Sequence, residues 1–299
     1  MSQAPEIDLE AAPAGIAASP ATPGASLAAS AASPATPVAN LTALTAGPAT
    51  PAASLGTPVA GAAGPAASAA EIAHLLEKTS RTFALAIPLL PDPTCHQVGI
   101  AYLLFRIADT FEDAELWPRG VKLEALARFA ELLDRPAAEE ARAEAARWLA
   151  TPPCGDAGYL ELLAKTPEVL GAYWQLDAGP RRLIGEHTRR TVEGMAGFVR
   201  RARPDGGIEL ADVEDLKGYC YVVAGIVGEM LTELFLFGRK ALAPVRGFLR
   251  ERAAHFGEAL QLVNIIKDSL ADATHGRRFL PAAADLAEVV GLARRDLEV

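Results

Sequence analysis

From about residue 69 onward, apolar residues recur at three- and four-residue spacing, and strand-like alternation is scarce. The pattern predicts helices at about 69–87, 94–114, 119–135, 137–150, 158–177, 180–203, 212–219, 220–238, 242–272 and 283–296. Turn-forming residues punctuate them. Pro88, Pro91 and Pro93 follow the first, Trp117-Pro118-Arg119-Gly120 the second, Thr151-Pro152-Pro153 the fourth and Arg203-Pro204-Asp205-Gly206-Gly207 the sixth. Long helices with short connections predict antiparallel neighbours packed as an all-α domain.

Residues 1–68 follow another pattern. They are Ala, Pro, Ser, Thr and Gly with near-repeats such as SPATP at 19–23 and 33–37, and their only charges are Glu6, Asp8 and Glu10. Proline every few residues interrupts a helix, and little bulky apolar surface offsets the entropy of ordering. A disordered tail over 1–68 and a folded unit over 69–299 are expected. The tail has neither the basic start and apolar core of a secretory signal nor the arginines of a mitochondrial presequence.

The net charge of −9 argues against nucleic acid as a partner. Cys95, Cys154 and Cys220 are odd in number and form no CxxC pair, which fits a reducing, cytoplasmic setting. The most apolar run, 221–238, carries Glu229 and Glu233 and predicts a buried helix instead of a membrane span. Five scattered histidines, His74, His96, His187, His255 and His275, show no ligand spacing and read as surface or capping residues.

Two short stretches resist a purely structural explanation. DTFED at 109–113 puts Asp109 and Asp113 four residues apart, on one helical face, with Glu112 beside them. DSLAD at 268–272 repeats the arrangement with Asp268 and Asp272. Both follow strongly apolar runs, where unpaired carboxylates are costly. Two helices presenting such pairs to a common cavity would seat Mg2+, which prefers oxygen ligands and is completed by substrate phosphates. Arg106, Lys267, Arg277 and Arg278 stand close in sequence, either to bind phosphate oxygens or only to neutralise the acids. The small residues Ala224, Gly225 and Gly228 would let a long apolar chain lie against a helix, or let two helices pack closely; the sequence leaves both open.

SRTFALAI (80–87), YLLFRIADTFED (102–113), YCYVVAGIVGEML (219–231), LQLVNIIKDSLAD (260–272) and GRRFLP (276–281) resemble, in order, motifs of the squalene/phytoene synthase family. The resemblance implies an all-α isoprenoid-synthase bundle around a central apolar cavity. It implies head-to-head condensation of two prenyl diphosphates through a cyclopropylcarbinyl diphosphate. It implies Asp109, Asp113, Asp268 and Asp272 as magnesium ligands, with Glu112 as helper. Ser80, Arg81, Arg106, Gln261, Asn264, Lys267 and Arg277 match substrate-binding positions. Phe83, Tyr102 and Tyr219, with Tyr221 as a further candidate, match aromatic positions of the carbocation chemistry. A greasy substrate and a greasier product imply shallow membrane contact without an anchor.

Two departures qualify the resemblance. Lys267 stands where the family usually has arginine, which keeps the charge but loses the forked geometry. Only 27 residues follow Asp272, so the C-terminal helices that close the cavity, and the positions that complete an NADPH site, are expected to be missing. Farnesyl diphosphate and a C30 product lead. A phytoene synthase using geranylgeranyl diphosphate and a truncated, inactive relative acting as a binding module stay open.

Overall fold

The computed structural model describes residues 64–80, 82–203, 207–274, 279–281 and 284–298, the side chains of 270–274 excepted. Among the described residues twelve α-helices succeed one another: α1 (Ala69–Thr79), α2 (Phe83–Ala86), α3 (Thr94–Glu112), α4 (Arg119–Leu132), α5 (Ala138–Ala150), α6 (Ala157–Ala164), α7 (Thr166–Gln175), α8 (Ala178–Arg201), α9 (Val213–Cys220), α10 (Ile226–Leu236), α11 (Arg246–Thr274) and α12 (Leu286–Glu298). Among the described residues there is no sheet, as the periodicity predicts.

The first helix starts on a capping box. The Ser68 hydroxyl accepts the Glu71 N–H at 3.2 Å, and the Glu71 carboxylate accepts the Ser68 N–H at 2.9 Å. Part of the expected tail is ordered against the bundle: Ala67 is buried and its N–H reaches the Glu168 carbonyl at 2.8 Å. The remainder of the tail, residues 1–63, lies outside the described residues.

Several boundaries differ from the pattern for local reasons. The helix expected at 69–87 breaks at Ser80, whose backbone is extended and whose hydroxyl accepts the Phe83 N–H at 2.9 Å. A hydroxyl that caps a new helix competes with continuing the old one. The helix expected at 158–177 divides at Lys165, just before Pro167 in the first turn of α7. Conversely, the two helices expected at 212–219 and 220–238 run on through a π-helical turn at Tyr221–Gly225.

α3 is the axial element, packed against α1, α4, α7 and α8. Its orientation is set by Phe111, fully buried against Trp148 (4.6 Å between ring centres), Trp117 (5.8 Å) and Phe129 (6.0 Å). Burying that ring is worth about 2–3 kcal/mol. Residues two apart on a helix point about 200° apart. Anchoring Phe111 in the core therefore turns Asp109 to the opposite, half-open side.

The stretch Val213–Leu236 has the length and composition to cross a membrane, with a mean hydropathy of 1.5. In the bundle it packs against α8 and α11, and its acids are matched: Glu229 pairs with Arg190 at 2.8 Å and Glu233 with Arg250. The two readings of the small residues are decided here in favour of helix packing. A Cβ on Gly228 would lie 2.0 Å from the Ala253 carbonyl oxygen, and one on Gly257 would lie 2.2 Å from that of Ala224.

Gly228→Ala is expected to destabilise the protein by about 2–3 kcal/mol through overpacking. Gly197→Ala, in α8 with open space around the new methyl, is expected to stabilise it by about 0.5–1 kcal/mol. Urea midpoints of the two variants should move in opposite directions.

Candidate active site

The C-terminal half of α3 delivers Tyr102, Arg106, Asp109 and Glu112 along successive turns. The Tyr102 hydroxyl donates to the Thr79 carbonyl at 3.1 Å, tying α3 to the end of α1. It also accepts from Arg106 Nη2 at 2.9 Å and Nε at 3.3 Å. Arg106 thereby lies over the Tyr102 ring (5.5 Å) and the Tyr159 ring of α6 (5.7 Å), with Asp109 at 3.4 Å from its Nη1. Phe83, 44% exposed, closes on Tyr102 at 5.6 Å between ring centres. Ser80, the C-cap of α1, holds the start of α2 by accepting the Phe83 N–H.

Deeper in the bundle, Glu112 is buried and its Oε1 accepts the Tyr219 hydroxyl at 3.1 Å. Lys122, buried on α4, donates to the Glu112 carbonyl oxygen at 2.8 Å, so a cation lies at the C-terminal end of α3. Tyr219 is stacked on Phe279 at 4.9 Å and meets Phe198 edge-on at 5.2 Å. Phe279 belongs to the GRRFLP segment. The chain that leaves α11 beyond DSLAD therefore returns to the residues packed on DTFED.

The electrostatics favour a cation here. Burial, with Asp113 adding a like charge, pushes Asp109 up to about 6; Arg106 offsets only part of this. The two members of that pair move in different senses. Despite its own burial, Arg106 is held charged by Asp109 and Tyr102, while Asp109 resists ionisation. The second direction governs the apo site, since burial and Asp113 act on Asp109 together. Burial, then Asp113 and Asp109, lift Glu112 well above the usual carboxylate range. Burial and then Glu112 raise the Tyr219 phenol in the same way, so it stays protonated and donating. Two neighbouring carboxylates, Asp109 and Glu112, with this resistance to ionisation fit a hard divalent ion held through oxygen.

The structure thus brings Ser80, Phe83, Tyr102, Arg106, Asp109 and Tyr219 into one connected neighbourhood with Glu112. On α11, Gln261 is half-buried and Asn264 exposed. Asp268 meets Lys267 at 3.4 Å, with 52% and 66% of their side chains open; among the described residues this is its polar contact. Asp272 is described in backbone only, as part of α11; Arg81 and Arg277 lie outside the described residues. Tyr221 stands apart: it accepts from Arg190 at 2.6 Å and donates to Glu229 at 3.2 Å.

Two contributors went unnoticed in the sequence. Lys122 carried a signal, for it falls on the apolar stripe of α4 with Ala125, Leu126, Phe129 and Leu132. A charged residue in that register needs a buried partner. Tyr159 carried none, because its partner Arg106 lies 53 positions away, as 159 − 106, and only folding joins them.

A bundle that is all-helical among the described residues, with a carboxylate-rich, aromatic site at the end of its axial helix, belongs among the α-helical isoprenoid-synthase folds. The chain is a member of the squalene/phytoene synthase family, whose family model matches residues 76–298. It is 34% identical over 199 residues to a squalene synthase of Botryococcus braunii, covering 66% of this chain and 38% of that protein. It is 32% identical over 207 residues to the squalene synthase of Schizosaccharomyces pombe, covering 69% of this chain and 43% of that one. A solved structure of TcSQS with a bound ligand superposes with a TM-score of 0.57 and 30% identity, over 70% of this chain and 56% of that one. The chain spans about two fifths of the length of these curated relatives.

A raised acid pKa means that ionisation opposes folding. Asp109 destabilises the apo protein fully above about 6, and the penalty fades as pH falls towards its ordinary value of 3.8. Asp109→Asn, with metal chelated, is therefore expected to stabilise the fold by about 1–2 kcal/mol at about pH 7.5, after allowance for solvent access, and by almost nothing at about pH 4. Denaturant titrations at the two pH values check the sign.

Proposed function

We propose that this protein catalyses the head-to-head condensation of two prenyl diphosphates, with farnesyl diphosphate as substrate and a C30 isoprenoid as product. The supporting observation is the joined Arg106–Tyr102–Asp109 and Glu112–Tyr219 cluster, in a chain of this family. Residues 69–299 form the catalytic unit in this reading.

Asp109 and Asp113, with Asp268 and Asp272, would hold magnesium. When bound, the ion supplies Lewis-acid neutralisation of the charge that develops on departing diphosphate. Arg106 is pre-oriented by Tyr102 and Tyr159, so it can meet a diphosphate oxygen with little loss of side-chain freedom. Lys267, Ser80, Gln261, Asn264, Arg81 and Arg277 would complete the phosphate and polar contacts. The rings of Phe83 and Tyr102 offer π faces to an allylic cation and shield it from water. Tyr219, kept protonated beside Glu112, can hold or move a proton at its phenolic oxygen. Apolar substrate and product would favour contact with a membrane surface. Reduction of the final cation would require NADPH.

Purified protein with magnesium and labelled farnesyl diphosphate should release diphosphate and form an apolar or cyclopropyl product. Asp109→Ala and Asp268→Ala should each lower turnover about 100-fold or more with helicity unchanged. Product mass spectrometry with farnesyl and geranylgeranyl diphosphate, with and without NADPH, checks the assignment. Turnover of only the longer substrate would point to phytoene-type chemistry. Diphosphate binding by folded protein without turnover would point to a binding module.

A further inference from the structure

His255 and Glu258 stand three residues apart on one face of α11, and Asp296 of α12 folds back to meet them. One ligand atom from each lies within 4.8 Å of the other two. His255 Nδ1 is 3.2 Å from Asp296 Oδ1, and the Asp296 side chain is only 10% exposed. Glu258 is half-buried and makes no hydrogen bond or ion pair among the described residues. Gly225, within the π-helical turn, leaves room for its carboxylate: a Cβ there would sit 3.0 Å from Glu258 Oε1. Burial and the Asp296 charge raise Glu258, against the pull of His255 and of Lys217 on α9, with Glu229 adding a further like charge.

We propose that His255, Glu258 and Asp296 form a divalent metal site, separate from the aspartate pairs, that clamps α12 onto α11. One imidazole and two carboxylates supply three protein ligands, which leaves a fourth position to water. Bonds of about 2.0–2.1 Å would place tetrahedral donor atoms roughly 3.3 Å apart, within reach of small rotamer shifts from the present spread. The imidazole selects the ion: a borderline first-row metal such as zinc binds nitrogen readily, whereas magnesium favours oxygen throughout. This site therefore differs chemically from the all-oxygen aspartate pairs and does not rest on the proposed reaction. To the pull of His255 and Lys217 the ion would add a direct ligand contact for Glu258.

Zinc and cobalt titrations of the full chain test this, with millimolar magnesium present to occupy the aspartate pairs. The wild type should take up one zinc per chain and, with cobalt, develop visible d–d absorption. Glu258→Gln, His255→Ala and Asp296→Asn should each weaken uptake about 100-fold and remove the cobalt band, while circular dichroism stays that of the wild type. Zinc at a hundredfold excess over Kd should raise Tm by roughly 5 °C in the wild type only. The double variant Asp109→Asn/Asp268→Asn should keep zinc uptake. Absence of saturable uptake, or uptake untouched by Glu258→Gln and Asp296→Asn, would overturn the site and leave a His255–Asp296 ion pair. Loss of uptake only in the double variant would assign the ion to the aspartate pairs and equally overturn it.

Discussion

A carboxylate buried among helices is tolerable only with a partner, and the Glu112–Tyr219 hydrogen bond meets that condition at the centre of this fold. The bond links α3 to α9 across 107 positions of chain. Because Phe279 lies on the Tyr219 ring, it also draws in the segment that follows α11. Lys122 places positive charge at the adjacent end of α3. The site is thus assembled around a buried polar contact whose geometry is constrained on three sides.

Packing and chemistry divide α3 between them. Its core face, anchored by Phe111, supplies stability; its opposite face carries Tyr102, Arg106 and Asp109, whose interactions are electrostatically strained without a cation. Such strain is what a cation- and phosphate-binding site requires. Carboxylates relaxed by several internal partners would bind a metal weakly, because the ion would have to displace those partners. Here Arg106 offsets only part of the charge, which leaves the remainder for a ligand.

Elsewhere the same residues serve different ends than their pattern suggests. The small-residue run at 222–228 reads equally as a surface for a greasy chain or as a helix contact; the carbonyls of Ala253 and Ala224, lying where glycine Cβ atoms would be, decide for the contact. His255 has no ligand spacing along the sequence, and its acidic partner on α12 lies 41 positions away. Interactions that span elements leave no periodic trace, so neither feature could be resolved from the chain alone.

Helix class and the acidic stretches were determined by the sequence itself, because periodicity and i,i+4 spacing are local properties of a helix and need no knowledge of neighbours. Motif order carried the family, and the structure keeps Ser80, Phe83, Tyr102, Arg106, Asp109 and Tyr219 in one neighbourhood. The stapling of Arg106 by Tyr159 and the buried roles of Lys122 and Glu112 were decided only by tertiary structure. Each depends on which surface a residue meets and on how far water is excluded there. Those quantities exist only once distant helices have packed.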